Sequence, residues 1–339
     1  MISKVCVIIA AYNASETVGG IVAGALKHVS RVIVADDGST DTTASVAAEA
    51  GAEVIAADRN TGKGTALMTL FQRAMEEGYE AVISIDADGQ HDPEEIPQFI
   101  EMHTRYPEDI ISGSRMHEKE KIPRARYNSM LIARFYISLA ANQFLDDTQC
   151  GFRLYPLSFI KKMRLMTEKF VTETELLMKA GDSGLNVRFV NIKTIYGGGS
   201  HFKPITDLFA ITAYVISYLY VKWLIEGVTS NNPNTYSIKN DVRDTLAKNK
   251  TIDRLFQGLT LLTTLPVTVF FLFEYVFLEP FIPNNFASIR KRNFKFARIT
   301  RATLMLPVLI GIVVTEKIAK TVGFTINVVD SFIDRYFSY

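Results

Sequence analysis

Two carboxylates two residues apart, Asp86 and Asp88, lie within Ile83-Ser-Ile-Asp-Ala-Asp-Gly-Gln-His-Asp-Pro-Glu-Glu95. The apolar run Ala81 to Ile85 leads into them, which puts both at the carboxyl end of a buried strand, where open α/β sheets bind their ligands. Residues i and i+2 of an extended chain point the same way. The pair, with the amide oxygen of Gln90 close by, therefore offers hard oxygen donors to Mg2+ or Mn2+ and leaves positions open for a diphosphate. The same stretch also reads as a strand-to-helix turn, with Asp92 capping a helix that has Pro93 first and Glu94 and Glu95 in its opening turn. Capping explains Asp92 to Glu95 but not Asp86 and Asp88, so the surroundings must decide.

Those surroundings alternate strand and helix. Lys4 to Asn13 is an apolar run ending in polar residues, and a helical pattern follows from about Ser15 to His28. Arg31 to Ala35 repeats the strand signal before Asp36-Asp-Gly-Ser-Thr-Asp41; then come a helix to about Gly51, a strand at Glu53 to Ala57 and a helix from about Lys63 to Glu77. Ser39 and Asp41 are placed to start the turn and cap the second helix. The rhythm predicts a mostly parallel sheet with helices on both faces. Its loops bring Tyr12-Asn13, Asp36-Asp37, Arg59 to Gly64 and Asp86 to Asp88 to one edge. Gly62-Lys-Gly-Thr65 is not a phosphate-binding P-loop, because Ala57 stands at its first glycine position and Gly64 follows the lysine.

The chain has 339 residues and a net charge of +1, which gives no electrostatic footprint for nucleic acid. Its two cysteines, Cys6 and Cys150, form neither a disulfide framework nor a metal pattern, as expected of a reducing compartment. Met1 to Ala11 is too short for a signal peptide, so the amino terminus is expected to stay cytosolic.

Tyr12-Asn13, the Asp36 to Asp41 run, Asn60-x-Gly-Lys-Gly64 and Asp86-Ala-Asp-Gly-Gln-His91 together resemble the nucleotide-sugar-binding half of glycosyltransferase family 2. Ser112-Gly-Ser-Arg115, Asp147-Thr-Gln-Cys-Gly-Phe-Arg-Leu-Tyr155 and Ser200-His-Phe202 resemble its polyprenyl- and dolichol-phosphate branch, and the likeness spans roughly residues 4 to 205. The resemblance implies a GT-A fold, an inverting transfer from a UDP- or GDP-hexose, and a polyprenyl phosphate acceptor. It implies that Asp86, Asp88 and Gln90 hold the metal, with Asp88 in the catalytic set. Asp36, Asp37 and the loop of Ala10 and Tyr12 would hold the nucleoside, with Lys63, Asp86 and His201 also lining the donor site, and Arg115 would meet phosphate. The opening Ala10-Ala-Tyr-Asn-Ala-Ser-Glu16 departs from the commonest pattern, which has Pro before the Tyr-Asn and Glu directly after, and so leaves UDP against GDP open.

A lipid monophosphate has a second pKa of about 6 and arrives as an anionic nucleophile that needs no general base. Cations are needed instead. Arg115, Lys119, Lys121, Arg124, Arg126 and Arg134 supply candidates, and Glu118 to Arg126 reads as a polar loop whose Arg124 and Arg126 could clamp the lipid phosphate. Arg153 reads instead as a structural partner for Asp146 or Asp147, while His201 and Lys203 follow the glycine run 197–199. A sugar-hydroxyl acceptor would need a carboxylate base, and Asp146 and Asp147 are the candidates for that alternative. A membrane scaffold that binds nucleotide without turnover is a further alternative, opposed by the intact Asp86, Asp88 and Gln90. A processive synthase would carry a Q-x-x-R-W helix, whereas the lone tryptophan, Trp223, follows Val-Lys.

Beyond the transferase domain, residues 1–204, the composition turns apolar. Residues 205–230 hold the charge-free run Leu208 to Val221, read as an interfacial helix, and 231–254 read as a polar linker. Residues 255–339 read as a membrane-associated helical region: Leu255 to Phe273 is charge-free but carries Pro266, and Ala302 to Thr315 is shorter. Between them, residues 288–301 carry Arg290, Lys291, Arg292, Lys295, Arg298 and Arg301 without an acid, a pattern suited to anionic headgroups on the cytosolic face. A cytosolic catalytic domain and a cytosolic basic segment favour a re-entrant or monotopic arrangement over a single crossing. A homo-oligomer is compatible with this composition.

Overall fold

The structure, a computed structural model, describes residues 4–141, 143–163, 171–193, 195 and the helical positions 211, 214, 215 and 218. The chain divides into two units, Met1–Ile211 and Thr212–Tyr339, and the first carries the site. The interfacial helix, linker, membrane-associated region and basic segment expected beyond residue 204, with His201 and Lys203, lie outside the described residues apart from those few positions. No helix among the described residues is long and apolar enough to cross a membrane.

Among the described residues, seven strands form one sheet in the order β3-β2-β1-β4-β6-β5-β7. They are β1 (Val5–Ala11), β2 (Val32–Asp36), β3 (Glu53–Ala56), β4 (Ala81–Ser84), β5 (Ile110–Ser114), β6 (Arg153–Pro156) and β7 (Val187–Asn191). All neighbours pair parallel except β6, which runs antiparallel to both β4 and β5. The helices are α1 (Val18–Ala25), α2 (Thr43–Glu49), α3 (Lys63–Glu76), α4 (Ile96–Arg105), α5 (Arg124–Ala140), α6 (Leu157–Lys162) and α7 (Val171–Asp182).

Every residue of β1, β2 and β4 is buried or nearly so, the continuous apolar run of a parallel strand covered on both faces. Alternation then sorts the side chains. Val5, Val7, Ile9 and Ala11 join Val32, Val34, Ala81 and Ile83 in the core under α1, α2 and α4. The opposite face lies against α3, whose Ala66, Leu67, Leu70, Phe71 and Ala74 make a buried stripe at helical spacing.

Strand order reverses at β1: β2 and β3 lie on one side and β4 on the other. Ligands of open α/β sheets bind in the crevice beyond the carboxyl ends of the strands at such a switch point. Ala11 pairs with Asp36 and Ile8 with Ser84, so the loops after β1, β2 and β4 leave the sheet side by side. Two expectations change here. Glu118 to Arg126 is not a loop: Met116–Lys121 is a 3-10 segment, and α5 opens directly after Pro123, whose carbonyl accepts from the Tyr127 amide at 2.9 Å. A dense charge run is compatible with an exposed helix as well as with a loop. α1 also ends earlier than His28 and begins later than Ser15, the late start because the amides of Asn13 to Ser15 donate to Ser39, Thr43 and Asp41.

Candidate active site

Asp86 and Asp88 do not sit on an extended chain. β4 ends at Ser84, and residues 87–89 form a turn that Gly89 closes at φ +74°. The Thr17 hydroxyl donates to the Ala87 carbonyl at 2.5 Å, and Asp88 Oδ1 accepts from the Gln90 amide at 3.0 Å. The turn, rather than strand alternation, brings the carboxylates together. Gln90 and His91 are buried at its end. Asp92 accepts from the Glu94 amide at 3.0 Å, with Pro93 opening a 3-10 turn ahead of α4, as the capping pattern predicts.

Lys63, the first residue of α3, reaches into this turn. Its Nζ lies 2.6 Å from Asp86 Oδ1 and 2.9 Å from Glu173 Oε2 on α7. His91 Nε2 is 3.6 Å from Asp86 Oδ2, its ring lies against Phe152, and its Nδ1 is buried with no partner among the described residues. Burial opposes ionisation of Asp86, but the Lys63 ammonium and His91 outweigh it and hold the carboxyl well below the ordinary range. Asp88 moves the other way: burial, then the charge of Asp86, push its pKa up. Two mutually repelling acids at one turn gain from a bound cation. Gly151 presses against the same group, since a Cβ there would overlap the Asp86 carboxylate. Glu173 and His91 have no assigned role in the sequence reading; His91 stands within the Asp86 to His91 motif, whereas Glu173 lies 110 residues from Lys63 with no motif to announce it.

The loops after β2 and β3 lock together. Asp37 Oδ1 accepts from the Thr61 amide and hydroxyl at 2.7 Å each, and Oδ2 accepts from the Gly62 amide at 2.7 Å. Gly38, at φ +70°, has no room for a Cβ beside the Arg59 backbone. Asp37 therefore sets the start of α3 and, through it, the position of Lys63. Asp36 Oδ1 accepts from the Ser39 amide at 3.2 Å. Ser39 does not cap α2; its hydroxyl accepts from the Asn13 amide at 2.9 Å and fixes the loop that carries the half-buried Tyr12. Asp41 accepts from the Thr43 amide at 3.0 Å and from the Ser15 amide at 3.2 Å, joining the β1 and β2 loops. Ala10 is half-buried inside β1, opposite Ala35.

The arginines divide. Arg115 is only 3 % exposed; its Nε and Nη2 donate to Asp147 at 2.7 and 3.0 Å, and its amide also donates to Asp147. Burial opposes ionisation of Asp147, but Arg115 holds its carboxyl below the usual range. Arg153 pairs with neither acid, contrary to expectation: it donates to the carbonyls of Thr148 and Glu173 and to the Tyr155 hydroxyl. It sits wholly buried in β6, within reach of backbone oxygens at the head of α7. Asp146 accepts from the Ser114 hydroxyl and lies 3.9 Å from Arg134. Arg124 opens α5, and Arg126, two residues further along the helix, is half-buried.

The residues brought to one edge are thus Asp36, Asp37, Lys63, Asp86, Asp88 and Gln90, with the acids at the switch point of the sheet. Glucosyl-3-phosphoglycerate synthase from Mycobacterium tuberculosis, solved with Mn2+, UDP and product, aligns at a TM-score of 0.50 and 21% identity over 63% of this chain and 77% of that one. The fold is accordingly GT-A-like. The glycosyl transferase family 2 profile matches residues 6–164. An uncharacterized protein of Methanocaldococcus jannaschii is 30% identical over 46% of this chain and 73% of its own. The UDP-N-acetylglucosamine–dolichyl-phosphate N-acetylglucosaminyltransferase of Methanococcus voltae is 29% identical over 56% of this chain and 84% of its own. The chain belongs to glycosyltransferase family 2 and is a glycosyltransferase.

Proposed function

We propose that this enzyme is membrane-attached and transfers a hexose from a nucleoside diphosphate sugar to a polyprenyl phosphate, with inversion and with Mg2+ or Mn2+ at Asp86, Asp88 and Gln90. One observation carries the reading: Lys63, placed by Asp37 of the β2 loop, links the β3 loop to the Asp86 turn at 2.6 Å, so three successive loops are tied together at one site. The relative named for a dolichyl-phosphate acceptor supports the acceptor class.

The donor set fits a hard divalent ion. Asp86 and Asp88 are oxygen donors close enough for the charge of one to raise the pKa of the other, and Gln90 is buried at the same turn. No group of three or more His, Cys, Asp or Glu poised for a metal occurs among the described residues, and Gln90 is the third donor in the proposed set. When bound, such an ion offsets the negative charge that develops on the departing diphosphate. Asp36 and Asp37 shape the nucleoside pocket, and Asp37 fixes Lys63, which places a cation beside the diphosphate. Arg124 and Arg126, at the head of α5, hold the lipid phosphate. A phosphate oxygen then attacks the anomeric carbon as the bond to the nucleoside diphosphate breaks, the electron pair leaving with the diphosphate and no proton moving. Positioning of two anions supplies most of the acceleration.

The environment of Asp147 argues against one of the two candidate bases for a sugar-hydroxyl acceptor. A general base must reach the acceptor and accept a proton, whereas Asp147 is wholly buried, ion-paired with Arg115 and held ionised at low pH. Asp88→Asn is expected to keep the fold, by circular dichroism, while abolishing Mg2+- or Mn2+-dependent transfer. Retained activity with unchanged metal dependence would remove the Asp86–Asp88 assignment.

A further inference from the structure

We propose that Glu173 is a positioning residue for the cation site: it holds the Lys63 ammonium so that Asp86 can be handed to a divalent ion without stranding a buried charge. The inference rests on the metal-binding reading above and deepens it. Lys63 Nζ stands between two carboxylates, at 2.6 Å from Asp86 and 2.9 Å from Glu173. The three side chains are 19 %, 25 % and 12 % exposed, so none is freely solvated. An ion that takes Asp86 displaces the ammonium from it. An ammonium left alone there would bear a large desolvation cost, which a remaining carboxylate removes.

Glu173 is built to stay in place. Its backbone carbonyl accepts from Arg153 Nη1 at 3.1 Å, which pins the first turn of α7 to β6, and the residues around it, Thr172, Thr174 and Glu175, are buried. Its second oxygen, Oε1, is buried with no partner among the described residues and keeps acceptor capacity for the ammonium. Charge points the same way. Asp86 and Glu173 are two carboxylates on one ammonium, so the cluster stays net negative and favours a cation.

The test is Mn2+ binding, followed by electron paramagnetic resonance on the detergent-solubilised full chain, without nucleotide and with UDP or GDP. Glu173→Gln, which makes the cluster less negative at almost constant shape, is expected to weaken Mn2+ binding about 10- to 100-fold, the usual range for a partner outside the ligand shell. Lys63→Met, which makes it more negative and frees Asp86, is expected to tighten it. The double variant Lys63→Met/Glu173→Gln regains the wild-type net charge and is expected to undo most of the loss. It also guards against misfolding, because it leaves neither partner unpaired. Wild-type affinity in both single variants would overturn the role of Glu173 while leaving the metal reading intact. A wild-type chain that takes up no Mn2+ under any of these conditions would overturn both.

Discussion

Lys63 is where the chemistry of the site is concentrated: one ammonium at the head of α3 that Asp86 and Glu173 both hold, placed by a loop that Asp37 pins. The arginine one might expect to serve the same anions, Arg115, is turned inward onto Asp147. That pair makes a separate prediction about stability. Asp147→Asn removes one partner of a buried ion pair, a change that typically costs about 3–5 kcal/mol. A chemical-denaturation series should register it as a lower midpoint with little change in slope. The pH dependence follows in sign. The folded-state pKa of Asp147 is depressed, so its contribution is complete above the ordinary carboxylate value of about 3.9 and fades as pH falls through the lower folded value. Wild type should therefore lose this stabilisation only in acid, and the Asn variant should lack that limb. A midpoint unchanged by the substitution would show that the pair contributes nothing.

At the scale of elements, the site depends on how the lead-in to β6 meets the end of β4. The Ser84 hydroxyl donates to the Gly151 carbonyl at 2.8 Å, and Gly151 leaves room for the Asp86 carboxylate. Gly151→Ala is expected to push that carboxylate off Lys63 and slow transfer by about 100-fold, the scale of a displacement of about 1 Å in a reacting constellation. Thermal unfolding should move little by comparison. Normal turnover in this variant would mean that the observed place of Asp86 is not needed. The first four strands and the loops after them are legible in the sequence because each is a short apolar run ending in polar residues. The antiparallel insertion of β6 is not, since Gly-Phe-Arg signals a strand but not its neighbours. The start of α5 is hidden by charges that suit a solvated loop as well as an exposed helix. The Arg115–Asp147 and Lys63–Glu173 pairs join residues far apart in sequence, where no periodicity speaks.

At the scale of the whole molecule, the proposed reaction brings a soluble nucleotide sugar to a lipid phosphate, and we propose that the stretches beyond residue 204 hold the chain at the lipid. The basic segment 288–301 is suited to anionic headgroups. Neutralising Arg290, Arg292 and Lys295 together should weaken binding to anionic vesicles by about 3 kcal/mol, at roughly 1 kcal/mol per basic residue, with the difference shrinking as salt rises. Vesicle binding that ignores both the substitutions and the salt would remove the headgroup reading. The most direct test of the enzyme's reaction is transfer of labelled sugar from a panel of UDP- and GDP-sugars into an organic-extractable product. Membranes carrying the full chain would be supplied with undecaprenyl or dolichyl phosphate, with and without Mg2+. The expected result is a lipid product from one donor that requires both the lipid phosphate and the metal. Nucleotide binding with no lipid product from any donor would contradict the proposal and point to a hydroxyl acceptor or to a chain that binds without turnover.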